Sequence, residues 1–150
     1  MKDQFSRDGI VVDNAIGFWL HRVYQAMRNE MFRRFRECGE DVTPEQWAVL
    51  IRLWERDGQT QRELLEATFR DAPTMSRILD GMEARGHIER RPHPHDGRAR
   101  IIVLTRKGRA LQQQLVPVAK QLVAQLERGI PERDLVTTRT TLRRMFENLA

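Results

Sequence analysis

The sequence predicts a mainly α-helical fold carrying one small β-hairpin, and three observations predict it. Apolar residues recur every three or four positions along most of the chain. That period breaks once, between Ile88 and Leu104, into two short runs rich in β-branched residues. Capping residues, prolines and glycines fall at helix-sized intervals in between.

The elements follow in order. Ile16, Leu20, Val23, Tyr24, Met27, Met31 and Phe35 share one helical face, which places a long first helix from about residue 13 to 35, ending near Cys38-Gly39. Thr43-Pro44-Glu45-Gln46 reads as an N-cap, a first-turn proline and a capping-box glutamine, opening a second helix that stops at Asp57-Gly58. Thr60-Gln61-Arg62-Glu63 is a second capping box and opens a short third helix. Asp71-Ala72-Pro73 opens a fourth, which turns Met75, Ile78, Leu79 and Met82 inward and ends at Arg85-Gly86. Ile88-Glu89-Arg90 and Arg100 to Leu104 are the hairpin strands, joined by Pro92-His93-Pro94-His95-Asp96-Gly97. Thr105 caps a fifth helix, where Pro117 predicts a kink. Gly129-Ile130-Pro131 separates it from a last helix striped by Leu135, Leu142, Met145, Phe146 and Leu149. Two short helices followed by a hairpin make a winged helix-turn-helix, here flanked by N- and C-terminal helices suited to dimerisation.

Length and composition bound the rest. A chain of 150 residues with 40% hydrophobic content predicts one domain spanning 1–150. Its net charge of +5 is carried mostly by arginine, whose planar fork suits phosphate. The single cysteine excludes an internal disulfide framework. Lys2, Asp3, Arg7 and Asp8 stand where a signal peptide needs an apolar run, and no stretch is apolar enough to span a bilayer, so the expected setting is cytoplasmic.

Charge position then points to a partner. If Met75, Ile78, Leu79 and Met82 face inward, then Pro73, Arg77, Asp80 and Ala84 face outward, with Thr74 and Ser76 on the flanks. An arginine and small hydroxyls near a helix N-terminus suit the major groove; an ordinary solvated face has the same pattern. The hairpin tips the balance. Between Arg85 and Arg109 there are eight basic residues against two acidic ones, Glu89 and Asp96, with three of the four histidines. A protruding hairpin has no core of its own around its tip, so this charge faces solvent or a polyanion. Arg98 is placed to enter a narrow minor groove. Asp96 either holds the Arg98 guanidinium or caps the turn, and Gly97 is expected to permit the reversal. The DNA-contacting set is therefore Pro73, Thr74, Ser76, Arg77, Arg90, His95, Gly97, Arg98 and Arg100, with Asp96 supporting the wing.

Other chemistry finds little support. His93 and His95 lack a third ligand at a useful spacing, and neither a metal nor another cofactor is expected. No nucleophile with a base, carboxylate pair or phosphate loop appears, which argues against an enzyme. Cys38 offers a redox-responsive alternative, but a helix C-terminus disfavours the thiolate.

Two blocks carry a resemblance. Asp96-Gly97-Arg98-Ala99-Arg100-Ile101-Ile102-Val103-Leu104-Thr105-Arg106-Lys107-Gly108, and before it Pro73 to Leu79 with Glu83 to Arg90, resemble the recognition helix and wing of the MarR family of bacterial regulators. The likeness runs from about residue 13 to the C-terminus. It implies a homodimer joined through residues 13–39 and 105–150, a DNA-binding lobe at 42–104, and a pseudo-palindromic double-stranded operator. It also implies a repressor relieved by a small aromatic or anionic effector, bound near Trp19, His21, Tyr24, Trp47 and Trp54. Related folds that serve as protein-interaction modules supply the alternative. Where this chain has Gly97, the family often has a second arginine.

Overall fold

The computed structural model describes residues 5–6, 9–10, 12–68 and 70–150. Lys2, Asp3, Arg7 and Asp8, which carried the leader-peptide argument, lie outside the described residues. A two-residue ladder, β1 (Phe5–Ser6) with β2 (Gly9–Ile10), and a short 3₁₀ turn at Val12–Asn14 precede α1 (Ile16–Glu37). There follow α2 (Pro44–Glu55), β3 (Gln59–Thr60), α3 (Gln61–Thr68), α4 (Ala72–Ala84), β4 (Ile88–Pro92), β5 (Arg100–Leu104), α5 (Arg106–Leu126) and α6 (Glu132–Glu147).

The caps form where the sequence placed them. Thr43 accepts from the Gln46 amide while the Gln46 side chain accepts from the Thr43 amide, closing the box at α2. At the second box the Glu63 carboxylate accepts from the Thr60 amide at 2.7 Å. That amide, then the Arg56 guanidinium and the Thr60 hydroxyl, hold its pKa at about 2. Thr105 accepts from the Gly108 amide at 3.0 Å to open α5, which runs on through Pro117. Gly86 takes the left-handed conformation, φ 71°, that ends α4 and turns the chain into β4.

The hairpin is part of a three-stranded antiparallel sheet ordered β3-β5-β4. Ile88 pairs with Leu104 and Pro92 with Arg100, while Gln59 and Thr60 pair with Ile102 and Ile101 on the other edge of β5. The third strand is a correction to the predicted two-stranded hairpin. The core lies beneath this sheet: Leu50, Leu53, Leu64, Met75, Leu79, Met82, Ile88, Ile102, Leu111 and Leu115 are all buried, and Phe35 of α1 seals one end. By contrast, no residue of α6 is buried, and Ile16, Leu20, Val23, Leu126, Val136 and Phe146 stay exposed on the terminal helices.

Among the described residues, one buried side-chain atom is unpaired. His87 sits between α4 and β4 at 3% exposure, and its Nδ1 has no hydrogen-bond partner. Burial, and then the nearby Lys107 and Arg85 cations, hold its pKa below the ordinary value. The unfolded chain therefore binds this proton more readily than the fold does. The resulting stability is fully present above about pH 6.5 and is lost as pH falls below it, by up to ~1.4 kcal/mol per pH unit until the lowered folded pKa is reached. Urea melts at pH 7.5 and 5.5 are expected to show this loss in the parent chain and a smaller one in His87→Leu. Equal losses in both would assign the acid sensitivity to other groups.

Candidate nucleic-acid interface

The geometry begins at the start of α4. Asp71 is its N-cap: one carboxylate oxygen accepts from the Thr74 amide at 2.8 Å, and the other from the Thr74 hydroxyl at 2.8 Å. The Thr74 amide, then the hydroxyl, lower the Asp71 pKa, so the cap stays ionised. Arg77 reaches the Thr74 hydroxyl from the next turn at 3.5 Å. Pro73 and Arg77 are exposed, and Thr74 and Ser76 are half-exposed beside them, while Met75, Leu79 and Met82 are buried. The helix thus offers one open face near its N-terminus, as its sequence predicted.

The wing tip is held by local hydrogen bonds. The Ala99 amide donates to the Asp96 carbonyl at 3.1 Å, the His93 amide donates to the Ala99 carbonyl at 3.0 Å, and the His95 amide donates to His93 Nδ1 at 3.1 Å. Of the two roles open to Asp96, the structure selects the turn cap, since its carboxylate accepts from the Arg98 amide at 3.0 Å. The Arg98 side chain is left exposed. Gly97 does not use the left-handed conformation expected of it; its φ is not positive.

Half of the eight basic residues between Arg85 and Arg109 are paired with carboxylates. Arg85 is paired with Asp41, Arg91 with Glu89 and Arg109 with Asp57. Arg90 is bound by two acids of α4, with Asp80 at 2.7 Å and Glu83 on its other nitrogen, and its side chain is only 19% exposed. Burial opposes that charge, but the hydrogen bonds to Asp80 and Glu83 outweigh it and raise the pKa. Arg90 therefore ties the recognition helix to the wing strand rather than projecting into solvent. Among the described residues, Arg98, Arg100 and Arg106 are the arginines of this region with no carboxylate partner, and Lys107 donates to the Arg85 carbonyl. The free charge lies at the wing tip and the start of β5, in Arg98 and Arg100, and at the start of α5, in Arg106.

A second feature lies behind this surface. A cavity of about 290 Å³ opens between α1 and α2, lined by Tyr24, Met27, Met31, Phe32, Phe35 and Trp47 together with Arg28 and Arg70. Arg28 lies over the Phe32 ring and 3.5 Å from Glu45.

A sequence profile described as the MarR family matches residues 40–99. The chain is 31% identical over 111 residues to the HTH-type transcriptional repressor NicR of Pseudomonas putida, an alignment covering 74% of this chain and 69% of that protein. Among solved structures, a probable transcriptional regulator from Pseudomonas aeruginosa superposes with a TM-score of 0.79 at 30% identity, covering 89% of this chain and 98% of that one. The chain belongs to the MarR family. It shares the fold, at 22% identity and a TM-score of 0.83 over 92% of this chain and 99% of the other, with MepR of S. aureus, solved as a DNA complex.

As a MarR-family member the chain is a DNA-binding transcriptional regulator and not an enzyme. Its winged helix-turn-helix is the predicted one, with one extra short strand. The structure brings Pro73, Thr74, Ser76 and Arg77 together on one helix face, and Asp96, Gly97, Arg98 and Arg100 together in the wing, where His95 is also exposed. Arg90 sits apart, committed to Asp80 and Glu83. Of Trp19, His21 and Tyr24, only Tyr24 lines the cavity. The Trp19 indole instead donates to the Asp13 carbonyl at 2.9 Å and packs edge-on against Phe18; His21 is exposed. Trp47 lines the cavity and Trp54 donates to the Gly108 carbonyl at 3.1 Å in the lobe. Met27, Arg28, Met31 and Phe32 were missed as cavity residues because a stripe lining a cavity has the same period as one lining a core. Cys38 is exposed at the C-cap of α1. No helix among the described residues is long and apolar enough to cross a membrane.

Proposed function

We propose that this MarR-family regulator acts in the cytoplasm as a homodimer on a pseudo-palindromic duplex, repressing transcription until a small aromatic carboxylate releases it. The observation that carries the reading is the open N-terminal face of α4 beside the unpaired Arg98 and Arg100 of the wing. In this reading Pro73, Thr74, Ser76 and Arg77 meet the major groove, Arg98 enters the minor groove, and Arg100, Gly97 and His95 border the flanking phosphates. Arg90 is assigned to holding the wing, not to DNA.

Homodimerisation is supported by the uncovered apolar residues of the terminal helices. Ile16, Leu20 and Val23 of α1, Leu126 of α5, and Val136 and Phe146 of α6 are each more than a third exposed, and isolated helices with such stripes are poorly soluble. A twofold axis would set two recognition helices about 34 Å apart, one turn of DNA. Residues 1–150 then act as one unit, with the lobe at about 42–104 held by dimerisation helices at about 13–39 and 105–150. The effector class follows from the cavity, whose apolar and aromatic walls suit a ring and whose two guanidiniums suit a carboxylate.

The test is selection of bound duplexes from a random pool, followed by titration of the selected operator. Arg98→Ala is expected to weaken binding roughly tenfold to a hundredfold with an unchanged circular dichroism spectrum, the range for losing one groove-reading arginine. Affinity should also fall steeply with salt, as counterion release requires. An Arg98→Ala variant that binds as tightly as the parent at matched salt would remove the wing from the interface.

A further inference from the structure

Two side chains, Asp96 and His93, close the tip of the wing. The backbone frames the reversal: the His93 amide donates to the Ala99 carbonyl at 3.0 Å, and the Ala99 amide to the Asp96 carbonyl at 3.1 Å. Pro94 has no amide to contribute. Asp96 holds the second half of the loop by accepting from the Arg98 amide at 3.0 Å. His93 holds the first half, since its Nδ1 accepts from the His95 amide at 3.1 Å. His93 is half-buried, while His95 is exposed with its ring edge-on to that of His93 at 6.2 Å. Arg98, proposed above to enter the minor groove, is carried by the loop that these two anchors fix.

Accepting at Nδ1 fixes the chemistry of the imidazole. The bond needs a lone pair on Nδ1, and therefore the neutral ring with its proton on Nε2. An imidazolium carries N–H at both nitrogens, so protonation turns a donor toward the His95 donor and breaks the bond. Histidine is the side chain that changes charge between about pH 5 and 8. Among the described residues, the hydrogen bonds of residues 93–99 stay within the hairpin. The titratable and charged groups that face His93 are accordingly the hairpin's own. They are His95, Asp96 on the Arg98 amide, Arg98, Arg100, and Arg91 paired with Glu89.

We infer that neutral His93 is a positioning residue of the wing: its Nδ1 holds the His95 amide, and with it the loop that presents Arg98 to DNA. This inference rests on the reading of the wing as a DNA contact and adds the side chain that keeps the wing in shape. Linkage fixes the sign. If operator binds the loop with His93 neutral, protonating His93 lowers operator affinity, and bound operator opposes that protonation by the same factor. A histidine that met phosphate as a cation would give the opposite sign, with affinity rising in acid.

The experiment measures the affinity of the full chain for the selected operator by fluorescence polarisation at pH 7.5 and 5.5, at one salt concentration, with circular dichroism at both. His93→Asn sets Oδ1 as many bonds from the backbone as Nδ1 and does not titrate, so it keeps the acceptor at both pH values. It is expected to match the parent within about twofold at pH 7.5 and to bind about threefold to tenfold more tightly than the parent at pH 5.5, the worth of one hydrogen bond. His93→Ala, with no acceptor, is expected to bind about threefold to tenfold more weakly than the parent at pH 7.5. Its melting temperature should stay within about 2 °C of the parent. The ratio between His93→Asn and its parent at pH 5.5 should persist in a His95→Ala background, where the amide remains and the second ring is gone. If the parent binds more tightly than His93→Asn in acid, His93 meets phosphate as a cation and is not a positioning residue. If the two are equal at both pH values, or if His93→Ala equals the parent at pH 7.5, the Nδ1 bond does not hold the wing. If the ratio vanishes in the His95→Ala background, the acid response belongs to the second ring and the assignment to His93 is wrong. Arg98→Ala separates these failures from that of the wing itself: should it bind like the parent, the wing reading falls and this inference with it.

Discussion

Gly108→Ala is expected to lower stability by about 3 kcal/mol or more, the upper end of the usual cost of overpacking, and so to drop the melting temperature by roughly 10 °C for a chain of this size. A Cβ built at Gly108 would lie 2.0 Å from the His87 carbonyl oxygen and 3.0 Å from its carbon, with Leu104 Cδ2 at 3.2 Å. The nearest obstacles are backbone atoms and cannot rotate away. They are also backbone at a junction. The same His87 carbonyl accepts from the Thr105 amide at 3.1 Å, and the Thr105 hydroxyl donates to the Gly86 carbonyl at 2.6 Å. From the other side the Trp54 indole donates to the Gly108 carbonyl at 3.1 Å. A methyl group there pushes the first turn of α5 away from the start of β4 and strains the joint between the DNA-binding lobe and the C-terminal helices. Gly97→Ala is the control: nothing lies within 4 Å of its Cβ and its φ is not positive, so its melting temperature should stay within about 2 °C of the parent. Differential scanning calorimetry of the two variants compares them directly, and equal melting points would show that the α5 joint yields at little cost.

What the sequence made legible was whatever is encoded locally. The stripe Met75, Leu79, Met82 and the caps at Thr43, Asp71 and Thr105 depend on residues within a turn or two of one another, and each has the expected burial or bond. The strand at Gln59–Thr60 was not legible, because two polar residues show no alternation. It forms because Gln59 is buried by its tertiary setting, where its side-chain Nε2 donates to the Arg52 and Arg56 carbonyls at 2.7 Å each and closes the end of α2. The charge count of the wing misled for a related reason. Arg90 looked free because the acids that bind it lie seven and ten residues upstream on another element. The cavity was hidden likewise: Arg70 and Tyr24 are far apart in sequence and line one cavity only in the folded chain.

Arg90→Leu is expected to weaken operator binding about a hundredfold while changing stability by less than about 1 kcal/mol. The two effects separate because they depend on different environments. Asp80 and Glu83 are 64% and 42% exposed, so their pairing with Arg90 contributes little to folding, and leucine can cover the apolar ground under the arginine stem. At the interface the same two carboxylates lie on the recognition helix, close to where phosphates would pass, and Arg90 neutralises them. Without it two negative charges face a polyanion, and β4 loses the guanidinium that fixes the wing against α4, though the Arg90 amide bond to Glu83 at 3.2 Å survives. The loss should therefore be a matter of uncompensated charge, and that gives the test. Adding Asp80→Asn and Glu83→Gln to Arg90→Leu should recover most of the affinity, leaving the slope of log affinity against log salt close to that of the parent. A direct phosphate contact by Arg90 gives the opposite result: no recovery on removing the acids, and a salt slope shallower by about 0.9, the value of one lost phosphate. The slope measures the number of phosphates neutralised and the triple variant measures the repulsion. Together they decide whether the most buried arginine of the wing acts on DNA or on the helix that reads it.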